Sequence, residues 1–179
     1  MSSARVTENL LPDGTMAPIS GIRKMPVVSI EQCISSSGIP GVSCLADLPE
    51  LEGEIEDVVF AAQLKAEEFL ENNGPDKHGL TQDHIAAFYL YTHNVLYDSL
   101  NKVLRSEDRR EVKPYFSYLR LLMDAFRLLP AYQPHNHTAT VYRGINKDIS
   151  AAYREGLILF FWVFSSYNFK NLNMNIFSC

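Results

Sequence analysis

From residue 53 to residue 130 the apolar residues return at intervals of three, four and seven, in three successive blocks. Such spacing makes a stripe down one side of a helix. The first block is Ile55, Val58, Val59, Ala62, Ala66, Phe69 and Leu70, stopped by Gly74-Pro75. In the second, Thr81 stands at the N-cap and Asp83 in the first turn, where a carboxylate meets the positive end of the helix dipole. Its stripe is Ile85, Phe88, Tyr89, Leu96, Leu100, Val103 and Leu104, and Ser106-Glu107-Asp108 reads as a break. The third block opens near Pro114, tolerated in a first turn because it has no N–H to leave unpaired. Its buried face is Phe116, Leu119, Leu122, Met123, Phe126 and Leu129, and Pro130 ends it.

The flanks follow other rules. Residues 1–52 carry Pro12, Gly14, Pro18, Gly21, Pro26, Gly38, Pro40, Gly41 and Pro49, which forbid a long helix or strand. This zone is expected to be a poorly ordered, loosely wrapped arm, disordered over about its first twenty residues, with one short extended or helical piece in Met25–Ile34. Beyond the helices, residues 138–145 alternate, with Val141, Arg143 and Ile145 on one side and Thr140, Tyr142 and Gly144 on the other. Residues 148–155 read as a short helix closed by Gly156. Residues 157–164 are unbroken apolar, as in a strand covered on both faces, and end at Ser165-Ser166.

Charge and composition remove several classes of function. The 179 residues hold 16 Lys and Arg against 21 Asp and Glu, a net charge of −5. A protein living off phosphate contacts needs a basic face, so no nucleic-acid partner is expected. The longest apolar run, residues 157–164, is far short of the ~20 residues that cross a bilayer, so no membrane partner is expected either. The first residues lack a signal-like apolar core, so a cytoplasmic location is expected. Three cysteines make no disulfide scaffold. Cys33 and Cys44 would pair in a secreted chain and remain thiols in a reducing one. His135-Asn136-His137 lacks further ligands at a supporting spacing, so no metal is expected.

Two features bear on chemistry. Arg143 shares its strand face with Val141 and Ile145, so it must reach water, a carboxylate partner, or an anion that its planar fork of donors would clamp. Gly144 beside it permits close approach of a ligand to the backbone. Ser165-Ser166 either terminates the apolar strand or places hydroxyls at the floor of a pocket. From Arg143 to Ser165 the separation is 165 − 143 = 22 residues.

At this point an ordered set of segments resembles a known family. Leu80-Thr81-Gln82-Asp83-His84-Ile85-Ala86-Ala87, Leu90-Tyr91-Thr92 and Leu96-Tyr97 are similar to the helical opening of arginine-specific mono-ADP-ribosyltransferases. Leu104-Arg105-Ser106-Glu107-Asp108-Arg109, Pro114-Tyr115-Phe116-Ser117-Tyr118-Leu119 and Leu128-Leu129-Pro130 continue the likeness. Val141-Tyr142-Arg143-Gly144 resembles the family's arginine motif, and Gly156 through Phe161-Trp162-Val163-Phe164-Ser165-Ser166 its serine-motif strand. The resemblance covers roughly residues 25–166.

The resemblance implies an α+β fold, an N-terminal helical subdomain followed by the first strands of a split NAD-binding β-sandwich, cut short in this chain. Three zones follow: an arm over 1–52, a partial transferase domain over 53–166 and an atypical tail over 167–179. The implied function is NAD(P)-dependent transfer of ADP-ribose to an arginine of an acceptor protein, with release of nicotinamide. NAD or NADP is the co-substrate and no metal takes part. Arg143 would hold a phosphate of the dinucleotide, Gly144 would border the nicotinamide pocket, and Ser165 would orient a catalytic glutamate. The third motif of the family, two glutamates two residues apart, has no counterpart here, because Glu155 is the last acidic residue. Tyr167 also stands where a small hydroxyl residue is usual. The other expectation is therefore an incomplete or inactive relative that acts as a nucleotide-binding or helical interaction module.

Overall fold

The computed structural model describes residues 17–106 and 108–130 in full and, beyond them, the backbone of residues 141–142, 165–169 and 172–178. The chain divides into two compact units, Met1–Pro130 and Ala131–Cys179.

In the first unit, residues 17–130 build a body of helices with no strand among them. The helices are α1 (Ile30–Ser35), α2 (Ile55–Asn73), α3 (Gln82–Thr92), α4 (Asn94–Ser106), α5 (Arg109–Val112) and α6 (Phe116–Leu128). Helix α3 is the centre, packed against α1, α2, α4 and α6. Its Ile85, Ala86, Ala87, Leu90 and Tyr91 are buried almost all the way round, as a helix with neighbours on several sides requires. Against it α6 brings Phe116, Tyr118, Leu119, Leu121, Leu122 and Ala125. The rings of Phe88 and Phe126 meet edge to face at 5.1 Å between these two helices. The Tyr118 hydroxyl, buried with its ring, donates to the Ala87 carbonyl at 2.9 Å, so the polar end of a core side chain is satisfied.

The helical expectations hold in outline and shift in detail. Thr81 caps α3 with its side chain, as its position implied. Gly74, at φ 72°, ends α2 and donates its N–H to the Leu70 carbonyl at 2.8 Å. The second block is two helices, broken at His93, whose backbone is extended. Thr92 turns its hydroxyl onto the Tyr89 carbonyl at 2.7 Å, a local bond that competes with helix continuation. The third block starts with a single 3-10 turn, Lys113–Tyr115, that contains Pro114. Phe69 and Leu129 are exposed rather than buried.

Two larger expectations are corrected. Residues 17–52 are not a loose arm: Ile30, Cys33, Leu45 and Leu51 are fully buried, and Ala17, Ser20 and Ile22 nearly so. Isolated apolar residues there each find a slot on the bundle, which no periodicity announces. Gly38 closes the fit, because at φ +70° a Cβ would lie 2.6 Å from Met25 Cε. The expected α+β class, with the first strands of a split β-sandwich, is also overturned. The described body of residues 17–130 is all-helical and packs helix on helix, with no strand among its described residues.

In the second unit the backbone is described only for β1 (Val141–Tyr142), β2 (Ser165–Phe169) and β3 (Leu172–Ser178), which pair antiparallel in that order. Val141 stands opposite Phe169, and Ser165 opposite Ser178. Among the described residues these strands form one small sheet and no sandwich. All of β3, and β2 from Tyr167 on, lie in the segment that the sequence marked as an atypical tail. The remaining parts of 138–145 and the whole of 148–155 and 157–164 lie outside the described residues, as does His135-Asn136-His137.

Candidate functional site

Arg143 and Gly144 lie outside the described residues. Ser165 is the first residue of β2. The three residues on which the sequence rested a dinucleotide site are therefore not seen as a constellation.

Among the described residues the densest polar cluster joins α3 to α6. His84 sits at the third position of α3 and its Nδ1 accepts the Thr81 N–H at 3.2 Å, while Thr81 Oγ1 accepts the His84 N–H at 3.3 Å. This reciprocal capping uses an imidazole where glutamate or glutamine is usual. The other ring nitrogen, Nε2, is buried 3.5 Å from Asp124 Oδ2. That separation exceeds a hydrogen bond, so the carboxylate acts on the ring through charge. Arg120 Nη1 donates to Asp124 Oδ1 at 3.2 Å, and Arg127 reaches the same oxygen at 3.3 Å. Burial lowers the His84 pKa below its usual value, and Asp124 only partly opposes this. Burial alone would raise the Asp124 carboxyl, but the hydrogen bonds and charges of Arg120 and Arg127 outweigh it and hold it low. Neutral His84 beside ionised Asp124 is the resulting state at neutral pH.

The cluster extends into the N-terminal segment. Arg120 Nε donates to the Met25 carbonyl at 2.9 Å, and Asp83 Oδ1 accepts the Ile30 N–H, the first donor of α1, at 3.1 Å. Farther along, Arg109 Nη1 donates to the Pro18 carbonyl at 3.1 Å, with its guanidinium 4.9 Å from the Phe116 ring centre. Its neighbour Arg110 instead faces water, its side chain 87% exposed and paired with Asp108 at 2.7 Å. The guanidinium forks of Arg109, Arg110, Arg120 and Arg127 are thus all engaged within the protein, and none is aimed at a ligand phosphate. The cluster does the work of a tie between helices and arm.

The nucleophilic groups are quiet. Cys33 and Cys44 are both free thiols. Burial pushes the Cys33 thiol up to about 12, with Asp83 adding to the shift. A thiolate is the reactive form, so Cys33 is inert. Cys44 Sγ donates to Asp47 Oδ2 at 3.2 Å. Tyr115, which hydrogen-bonds Ser99, is raised to about 12 chiefly by burial. Among the described residues no group of His, Cys, Asp and Glu is arranged to hold a metal ion. No helix among them is long and apolar enough to cross a membrane.

Sequence reasoning found Thr81 and Asp83 but assigned Asp83 only to its own helix dipole. It missed His84, Arg109, Arg120 and Asp124. The signal for His84 was the Thr81-x-x-His84 spacing of a capping box. Arg109 and Arg120 contact residues more than ninety positions away, and Asp124 meets His84 forty positions away, which no local pattern encodes.

No protein-family model, curated protein or solved structure matches this chain.

Proposed function

We propose that this chain is a relative of the arginine-specific mono-ADP-ribosyltransferases that lacks transferase activity by itself. The supporting observation is the order of the motif-like segments, from Thr81 through Pro130 to Val141-Tyr142-Arg143-Gly144 and Ser165-Ser166. In this reading Arg143 holds a phosphate of NAD or NADP, Gly144 leaves room beside the nicotinamide, and Ser165 is the hydroxyl that would orient a glutamate. An acceptor protein would offer the arginine. The step breaks the bond between nicotinamide and ribose, and positive charge develops on the sugar. A carboxylate near the ribose stabilises that charge. The sequence has no acidic residue after Glu155 to supply it. Cys33 and Cys44, held as thiols, fit a protein of the reducing cytoplasm.

A second reading is favoured by the helical body of residues 17–130, a compact unit with a buried core and no strand among its described residues. There the protein is a helical interaction module and binds no dinucleotide.

One experiment separates the two. The purified chain is titrated with NAD and with NADP, and incubated with labelled NAD and an arginine acceptor. The proposal expects nucleotide binding that Arg143→Ala weakens at least about tenfold, as loss of a charge-assisted fork would, and no labelled acceptor. Labelled acceptor would refute the lack of activity. Absence of any nucleotide binding would refute the family reading and leave the helical module.

A further inference from the structure

Helix α2 presents two different faces. Ile55, Val59, Ala62 and Ala66 are buried, and at about 100° per residue they fall on one narrow arc. Phe60 and Leu64 fall opposite, one turn apart, 62% and 49% exposed. A phenylalanine exposed to that extent gains nothing from burial in this fold.

The surroundings of the pair are one-sided in charge. Glu56 and Asp57 precede it by one turn, and Glu67, Glu68 and Glu71 follow it within two. All five are exposed, and none has an ion-pair partner among the described residues. The one cation of the helix, Lys65, stands off to the flank, its ammonium 5.7 Å from the Tyr89 ring centre. An apolar pair is therefore set among five carboxylates that repel one another.

We infer that the outer face of α2 docks a basic amphipathic helix of another protein, whose apolar residues cover Phe60 and Leu64 and whose lysines or arginines meet the five carboxylates. Charge selects this occupant. A second copy of the chain brought against the same face would set carboxylate against carboxylate, which is repulsive. A neutral apolar segment would cover the pair but leave the acids unrelieved. An amphipathic helix read through residues at i, i+3, i+4 and i+7 supplies both features in one element. The inference is independent of any nucleotide chemistry.

The full chain is the reagent, and the probe is a labelled helical peptide with leucines at i, i+3, i+4 and i+7 and arginines beside them. Fluorescence anisotropy is expected to show saturable binding that weakens with added salt. The double variant Phe60→Ser/Leu64→Ser is expected to lose at least about tenfold in affinity, as loss of an apolar anchor does. Glu67→Gln/Glu71→Gln is expected to weaken binding and lower its salt dependence, whereas Asp98→Asn on α4 leaves both unchanged. All variants lie on exposed positions and are expected to melt as the parent does. Four results overturn the inference. One is no binding, and another is binding unchanged in the Phe60/Leu64 variant, which means general attraction to an acidic chain. The third is a dimer in sedimentation that this variant dissociates. The fourth is faster hydrogen exchange in residues 131–179 of the variant, which means that the chain covers α2 with its own residues.

Discussion

Residues 17–52 and helices α2 to α6 both contribute fully buried side chains to the core, by opposite means. In the helices the backbone satisfies its own polar groups, and only a stripe of apolar side chains must find neighbours. In the N-terminal segment the backbone is irregular outside α1 and two short 3-10 turns, so several of its N–H and carbonyl groups need partners from elsewhere. The bundle provides them through side chains: Asp83 takes the Ile30 N–H, Arg120 serves the Met25 carbonyl, and Arg109 serves those of Ala17 and Pro18. Burial of an irregular segment thus depends on charged residues of the regular one.

The sharpest way to break this comparison is to truncate equivalent core residues in both regions. Ile30→Ala in the segment and Leu122→Ala in α6 each remove a fully buried side chain. Each is expected to cost about 2–5 kcal/mol in urea unfolding. A loosely wrapped arm would make the Ile30 variant nearly silent, so a loss well under that range at Ile30 alone would restore the original expectation for this segment.

Next in size is the tie itself. Arg120→Met keeps much of the apolar stem but leaves the Met25 carbonyl without its donor and Asp124 with Arg127 as its remaining one. The expected cost is about 1–3 kcal/mol. Hydrogen exchange is expected to rise in residues 17–35 more than in α4. Equal acceleration in both would mean that the tie stabilises the whole body rather than the segment.

The smallest effect is on pH dependence. Burial holds the folded His84 pKa below the ordinary histidine value of 6.5, so the unfolded chain binds more protons between the two. Stability from neutral His84 is fully present above 6.5 and is lost as pH falls from there through the lowered pKa. Asp124, also depressed, adds stability that is fully present above the ordinary carboxyl value of 3.8 and is lost at more acid pH. Thermal melts are expected to fall between about pH 7 and pH 5. His84→Gln keeps a residue suited to the capping position and is expected to flatten that drop. An unchanged slope would show that His84 does not carry the dependence.

The stripes of α2 and α6 and the cap at Thr81 were legible in the sequence because each depends on residues within a few turns. The break at His93 was not, since the seven-residue step from Tyr89 to Leu96 suits an unbroken helix equally well. Of the candidate site, the sequence named Arg143, Gly144 and Ser165. The cluster visible in the structure is a different one, built on His84, Arg120 and Asp124. Two of these were overlooked because their helix positions looked like ordinary solvated charge.

Periodicity alone, then, determined that this chain makes helices between residues 53 and 130, which side of each is apolar, and where glycine and proline stop them. Those properties follow from side-chain spacing and local backbone bonds, which a linear sequence displays. Tertiary structure alone decided that residues 17–52 pack, that no strand forms among the described residues of 17–130, that Arg109 reaches back to hold the segment before it, and that Phe60 and Leu64 remain outside. Each of those outcomes turns on which surfaces meet across many residues of chain, and a contact of that range leaves no mark in the spacing of its neighbours.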